Sequence, residues 1–149
     1  MVRLKQIEEF LGSEPIAVVG VSRDPKKFGF AAFKELKEKG MNVIPVNPNA
    51  TEILGTKVYP DIKALPADVK GLIIVTGKDK TAGIIREAKE KGYKQIWIQQ
   101  MAGTPEAIKE LEGSDINYIT GQCILMHYKP HSIHKFHKGF NKFFGRFPK

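Results

Sequence analysis

Between Ile16 and Thr120, short apolar runs rich in β-branched residues alternate with segments of helical period, and this alternation constrains the chain more than any other feature. An apolar run with no polar alternation must be covered on both faces, and parallel strands joined by crossover helices provide that cover. The runs are "IAVVGV" (16–21), "NVIPV" (42–46), "GLIIVT" (71–76), "QIWI" (95–98) and "INYIT" (116–120). Between them Ala32, Phe33 and Leu36, then Ile84, Ile85 and Ala88, then Ala107, Ile108 and Leu111 repeat one i, i+1, i+4 spacing. Such a spacing lays a single apolar stripe against a sheet. The pattern predicts an α/β, Rossmann-like, doubly wound domain: five parallel strands with helices on both faces.

Local signals agree with that reading. Gly40, Gly92 and Gly113 each follow a helical run, where a left-handed cap is needed, and Thr104 followed by Pro105 reads as an N-cap with proline at the first helical position. The link from the second strand to the third carries two Pro-rich turns, which leave room only for a short helix near residues 61–65 capped by Asp61. Residues 1–12 read as an N-terminal amphipathic helix with Leu4, Ile7 and Leu11 on one face. The chain of 149 residues is thus read as one domain, with a core at 12–125 and a C-terminal basic, aromatic extension at 126–149.

Composition limits what such a domain does. With 42% hydrophobic and 27% charged residues the chain resembles a water-soluble globular protein, with no apolar run long enough to span a membrane. "MVRLKQIEEFLGSEP" mixes charges of both signs without the pattern of a secretory signal, so the cytoplasm is the expected compartment. The one cysteine, Cys123, has no intrachain partner and fits a reducing environment. The net charge of +8 is uneven: residues 121–149 hold five lysines, one arginine and no acid, which leaves only +2 for the first 120 residues.

In a doubly wound sheet, ligands bind at the carboxyl ends of the strands, beside the first βα turn. That turn is "IAVVGVSRDPKKFG" (16–29). Gly20 permits a tight turn, Ser22 offers a hydroxyl, Gly29 permits close packing of helix on sheet, and Arg23, Lys26 and Lys27 bring mobile positive charge. Helix-start amides there suit a phosphate or pyrophosphate; the plain alternative is an ordinary connection with solvated lysines. The loop lacks the G-K-[ST] ending of a Walker A sequence, and Ser22 stands where the dinucleotide fingerprint needs its middle glycine. NAD also calls for a carboxylate at the end of the second strand, and "VNPNAT" supplies no acid before Glu52. A 3′-phosphorylated ribose would not miss that carboxylate.

The succession from "IAVVGVSRDPKKFG" through "PVNP", "ILGTKVYP", "GLIIVT" and "IWIQQMAG" resembles the CoA-binding domain family related to the N-terminal domain of the succinyl-CoA synthetase α subunit, and more closely the small stand-alone bacterial and archaeal members of that family. The likeness covers about residues 12–125. It implies a Rossmann-type domain that binds coenzyme A. Gly20, Val21, Ser22 and Arg23 would line the pyrophosphate, with Lys26, Lys27 and Phe28 close by. Asn47, Pro48 and Asn49 would shape the adenine and ribose side; Val75, Thr76, Ile98 and Gln99 would border the pantetheine path. Many relatives carry lysine after Asn-Pro, where this chain has Asn49, which leaves the ribose phosphate to Lys57, Lys78 or a first-loop lysine.

No catalytic constellation is legible, so the expectation is a non-catalytic CoA-binding protein. A nicotinamide-dependent oxidoreductase is the competing class, and a nucleic-acid-binding module run by the tail is another. Cys123 follows the fifth strand and would exchange disulfides with the pantetheine thiol if the two met, although free cysteine is ordinarily packed like a small apolar residue. His127, His131, His134 and His137 have helical spacing that brings imidazoles into metal reach, but no acid or second cysteine joins them, and no metal is expected. Phe136, Phe140, Phe143, Phe144 and Phe147 make a stripe suited to docking the tail on the sheet or on a second copy in a homodimer. The same basic, aromatic mix suits nucleic acid or an anionic membrane less economically.

Overall fold

The computed structural model describes residues 3–128. Along the chain lie α1 (Leu4–Leu11), β1 (Ile16–Val19), α2 (Phe28–Glu38), β2 (Val43–Val46), β3 (Glu52–Ile53), β4 (Thr56–Lys57), a 3₁₀ turn (Ile62–Ala64), β5 (Gly71–Ile74), α3 (Lys78–Lys91), β6 (Gln95–Gln99), α4 (Pro105–Leu111), β7 (Asn117–Gln122) and a second 3₁₀ turn (Ile124–Met126). Five strands form a parallel sheet in the order β2-β1-β5-β6-β7, as the alternating pattern predicts. The order reverses between β1 and β5, and the chain leaves these two strands toward opposite faces.

Strand parity divides the core into two layers. Ala17, Val19, Leu72, Ile74, Ile96 and Ile98 point toward α3, α4 and the first 3₁₀ turn, packing on Ile85, Ala88, Ala107 and Leu111. Ile16, Val18, Ile73, Trp97 and Ile119 point the other way, toward α1, α2 and the second 3₁₀ turn, packing on Phe10, Phe33, Leu36 and Ile124. Helix α1 is therefore part of the core. Its buried residues are Ile7 and Phe10, with Leu4 and Leu11 at the margin, so the expected stripe is rotated. The cause is Trp97: the Phe10 ring lies with its centroid 5.4 Å from Trp97, and an aromatic pair outweighs the two leucines.

The sequence signals at helix ends recur in three dimensions. Gly40, Gly92 and Gly113 all take positive φ after their helices. The Ala64 amide donates to Asp61 Oδ1 at 2.9 Å, and the Ala107 amide donates to Thr104 Oγ1 at 3.1 Å. Thr104→Ala should cost about 1 kcal/mol, because one first-turn amide of α4 loses its acceptor. Urea unfolding checks this, with Thr104→Ser restoring the midpoint; an unchanged alanine variant would mean that water replaces the cap. Where α3 meets α4, Arg86 joins Glu106 and Glu110 on the surface. The Arg86 hydrogen bond holds the Glu110 carboxyl below its ordinary range, so this small contribution is lost only as pH falls through that lowered value.

Candidate functional site

At the carboxyl edge of the sheet three segments meet with no room for a side chain. Gly20, directly after β1, has φ +106°, and a Cβ there would stand 2.9 Å from Thr76 Cγ2 and 3.0 Å from the Thr76 nitrogen. A Cβ on Gly29, in the first turn of α2, would stand 2.6 Å from the Gly20 carbonyl oxygen. The start of α2 and the exit of β5 are thus drawn against the first loop at the point where strand order reverses. Gly20 makes the tight turn and Gly29 the close helix packing that the sequence reading asked of them.

The loop between them is held by its own polar groups. The Asp24 amide donates to Ser22 Oγ at 2.9 Å, the Lys26 amide donates to Asp24 Oδ1 at 2.9 Å, and the Lys27 amide donates to the Asp24 carbonyl at 3.0 Å. Ser22 accepts in this arrangement and keeps its own proton to donate. Lys27 is the N-cap of α2, yet its side chain makes no capping bond and the first turn holds no acid. Helix-start amides in that state attract an anion.

Asn47, at the end of β2, clamps two loops together. Its Nδ2 donates to the Val21 carbonyl at 2.7 Å and its Oδ1 accepts from the Asn49 amide at 2.6 Å. Pro48 and Asn49 are exposed beside it. Val21 is 1% exposed, so it offers a ligand only its backbone. Lys57 Nζ lies 5.0 Å from the centre of the Tyr59 ring, and Tyr59 bridges Val46, which brings Lys57 alongside the end of β2. Arg23, Lys26, Lys27, Lys57 and Lys78 are exposed and have no ion pair among the described residues.

A cavity of about 250 Å³ opens next to the loop, lined by Phe28, Val75, Thr76, Gln99, Gln100, Met101, Ala102 and Cys123. Phe28, Val75, Thr76, Gln99 and Cys123 were all singled out from the sequence. Ile98 was too, and here the structure differs: Ile98 is 0% exposed and packs in the layer under α3 and α4, because strand alternation sends it to the face opposite Gln99. Cys123 is half-buried at the cavity wall, against the expectation of an ordinary packed cysteine. It reaches the wall through a bulge: pairing shifts from Trp97↔Ile119 to Gln99↔Gln122, and Gly121 in the extra stretch has φ +72°. Two bonds fix the arrangement, Trp97 Nε1 donating to the Gln122 carbonyl at 3.0 Å and the Ile124 amide donating to Gln99 Oε1 at 3.1 Å. Gln100, Met101 and Ala102 escaped the sequence reading as lining residues; their signal was their place directly after β6.

A larger hollow of about 630 Å³ lies at the opposite, amino-terminal edge, lined by Ser13, Lys70, Tyr93 and Gln95 among others. No helix start faces it, and the ligand rule for doubly wound sheets points to the carboxyl edge instead. His127 lies against Trp97, ring centroids 5.7 Å apart, with Nε2 3.2 Å from Gln122 Oε1. Among the described residues no group of His, Cys, Asp and Glu forms a candidate metal site, and no helix is long and apolar enough to cross a membrane. His131, His134, His137, the phenylalanine stripe, and with them the dimer and nucleic-acid readings of the tail, lie outside the described residues.

A glycine-tight loop, the uncapped start of α2 and a mainly apolar cavity thus meet where the strand order reverses, the place at which doubly wound α/β domains bind their ligands. Residues 14–129 match the CoA binding domain family, and the chain belongs to that family. It is 29% identical over 120 residues to YneT of Bacillus subtilis, covering 80% of this chain and 89% of that protein. It is 41% identical over 93 residues to the acetate–CoA ligase [ADP-forming] II subunit alpha of Pyrococcus furiosus, covering 62% of this chain and 20% of that subunit. The chain thus spans about a fifth of the length of that ligase subunit. Among solved structures it is similar to a conserved hypothetical protein from Pyrococcus furiosus, with TM-score 0.71, 39% identity and coverage of 74% of this chain and 96% of that one. A hypothetical protein from Pyrococcus horikoshii OT3 superposes with TM-score 0.76 at 27% identity, covering 85% and 89%.

Proposed function

We propose that this protein binds coenzyme A or a CoA thioester and performs no chemistry on it. The closure of Gly20, Gly29 and Thr76 around the uncapped start of α2 carries this reading, because it brings backbone amides to where a pyrophosphate would sit. Gly20, Val21 and Ser22 contribute backbone groups and one hydroxyl; Arg23, Lys26 and Lys27 contribute charge. Phe28, Val75, Thr76 and Gln99 then lead the pantetheine arm into the cavity. Asn47 uses its amide to clamp Val21 and Asn49, which favours a ribose that needs no carboxylate partner. Lys57 or Lys78 takes the 3′-phosphate where relatives use lysine in place of Asn49. The cavity wall is mainly apolar, with one thiol and no carboxylate or imidazole, which favours recognition over acid–base catalysis.

Calorimetric titration with CoA, 3′-dephospho-CoA and NAD tests the reading. CoA should bind at least about tenfold more tightly than the other two, since a charged hydrogen-bonding phosphate is worth about 1.5–3 kcal/mol. Tighter binding of NAD would support the oxidoreductase class, and no CoA binding at low salt would overturn the proposal. Incubation of the chain alone with acetyl-CoA, ADP and phosphate should yield no ATP; ATP formation would make it an enzyme.

Ser22→Asp should lower CoA affinity by about 10–100-fold while leaving the fold intact. An aspartate accepts the Asp24 amide as serine does, so the turn survives, but its carboxylate faces the pyrophosphate. Unchanged affinity with a normal melting temperature would remove Ser22 from the site.

A further inference from the structure

We propose that Cys123 is a site of reversible covalent CoA attachment, formed by thiol–disulfide exchange with CoA disulfide docked in this cleft. The proposal rests on the reading that the cleft holds CoA. Two observations converge on it. The first is continuity: Phe28 opens α2 beside the first loop, Thr76 packs against Gly20, and both line the cavity whose wall includes Cys123. An arm that enters past Phe28 would end beside Cys123.

The second observation is Gln99. This side chain is only 4% exposed, and its Oε1 accepts the Ile124 amide at 3.1 Å, which fixes the residue next to Cys123. Its Nε2 has no partner among the described residues. No fully buried side-chain polar atom among them is unsatisfied, so Nε2 reaches open space, and the space this side chain lines is the cavity. A donor left inside a mainly apolar pocket calls for an acceptor on the ligand, and the amide carbonyls of a pantetheine arm are such acceptors. Gln99 thus both holds Cys123 in place and offers the arm a hydrogen bond.

The exchange balances without a further oxidant. The Cys123 thiolate attacks one sulfur of CoA disulfide; the bond between the two CoA sulfurs breaks and a bond from Cys123 to one CoA forms. The second CoA leaves as a thiolate and takes up the proton that Cys123 gave up. Cys123 is oxidised to the mixed-disulfide level, one CoA is reduced to thiol, and excess thiol reverses the step.

Intact-mass analysis under non-reducing conditions tests this, using the full chain incubated separately with CoA disulfide and with oxidised glutathione. The wild-type chain should gain one CoA at least about tenfold faster than one glutathione, because docking raises the local concentration of the disulfide. Dithiothreitol should remove the adduct, and Cys123→Ser should form none. An adduct on Cys123→Ser, or glutathione reacting as fast as CoA disulfide, would overturn the proposal. Titration of reduced wild-type protein with CoA thiol, which forms no adduct by itself, separates the two levels: CoA binding there with no adduct from CoA disulfide defeats the attachment alone, and no CoA binding defeats the functional reading and the attachment with it.

Discussion

Alanine at position 29 is expected to weaken CoA binding by about 30-fold or more and to cost about 1–3 kcal/mol of stability. The added Cβ would stand 2.6 Å from the Gly20 carbonyl oxygen and 3.3 Å from Val75 Cγ2. The first contact is with backbone, which has no rotamer to escape into, so the start of α2 must retreat from the loop. Several amide bonds to the proposed pyrophosphate would then lengthen together, so the loss in binding, about 2 kcal/mol or more, is comparable to the loss in stability. Alanine is intrinsically better than glycine in a helix by up to about 1 kcal/mol, and that gain offsets part of the clash. Gly83 serves as the control: it lies inside α3, is exposed, and a Cβ there meets nothing within 4 Å. Gly83→Ala should therefore stabilise by about 0.5–1 kcal/mol and leave CoA affinity unchanged. Thermal unfolding and calorimetry on both variants check the pair. If Gly29→Ala binds CoA normally, the close approach of loop and helix is a packing feature unrelated to the ligand.

The parts of this architecture visible in the sequence are those set by local rules. Apolar runs without alternation gave the parallel strands, and side-chain caps such as Thr104 and Asp61 were legible because one residue satisfies an amide three positions on. The hairpin of β3 and β4 was not. Its strands are two residues each, and its turn places Leu54 at φ +51° ahead of Gly55, a conformation for which leucine gives no signal. Within the site, Gly20 and Gly29 could be chosen by type and spacing, since glycine is the residue that a close backbone approach requires. Ile98 was misplaced for the opposite reason: proximity to a strand end says nothing about which face a side chain takes, and parity sends Ile98 to the core and Gln99 to the cavity. The placement of Cys123 depends on a bulge between β6 and β7, a pairing event between strands about 20 residues apart that no local pattern encodes.

Phe10→Ala should be among the costliest single truncations in terms of stability, at about 3–5 kcal/mol. The Phe10 side chain is 0% exposed, its ring contacts Trp97 at 5.4 Å, and it approaches Gly71 closely enough that a Cβ there would meet Phe10 Cε1 at 3.4 Å. No neighbour can fill the space, because Ile16 and Trp97 are fixed in the sheet and α1 is tied at both ends. Asn117 Nδ2 donates to the Gln6 carbonyl at 3.0 Å, and Gln95 Nε2 donates to the Glu9 carboxylate at 2.7 Å. For a domain of this size the loss amounts to a fall in melting temperature of roughly 6–20 °C. Those anchors also locate α1 at the amino ends of β6 and β7, whereas the proposed ligand site lies at the carboxyl ends. Stability and binding should therefore separate in this variant. At a temperature where Phe10→Ala is still folded, its CoA affinity should lie within about threefold of wild type, since sites without shared partners act nearly independently. One route would break that independence. Trp97 touches Phe10 on one side and donates to the Gln122 carbonyl, next to Cys123, on the other. If affinity falls together with stability, the Trp97 indole is the element that couples the N-terminal helix to the cavity, and Phe10→Leu, which keeps most of the volume behind that ring, should recover both.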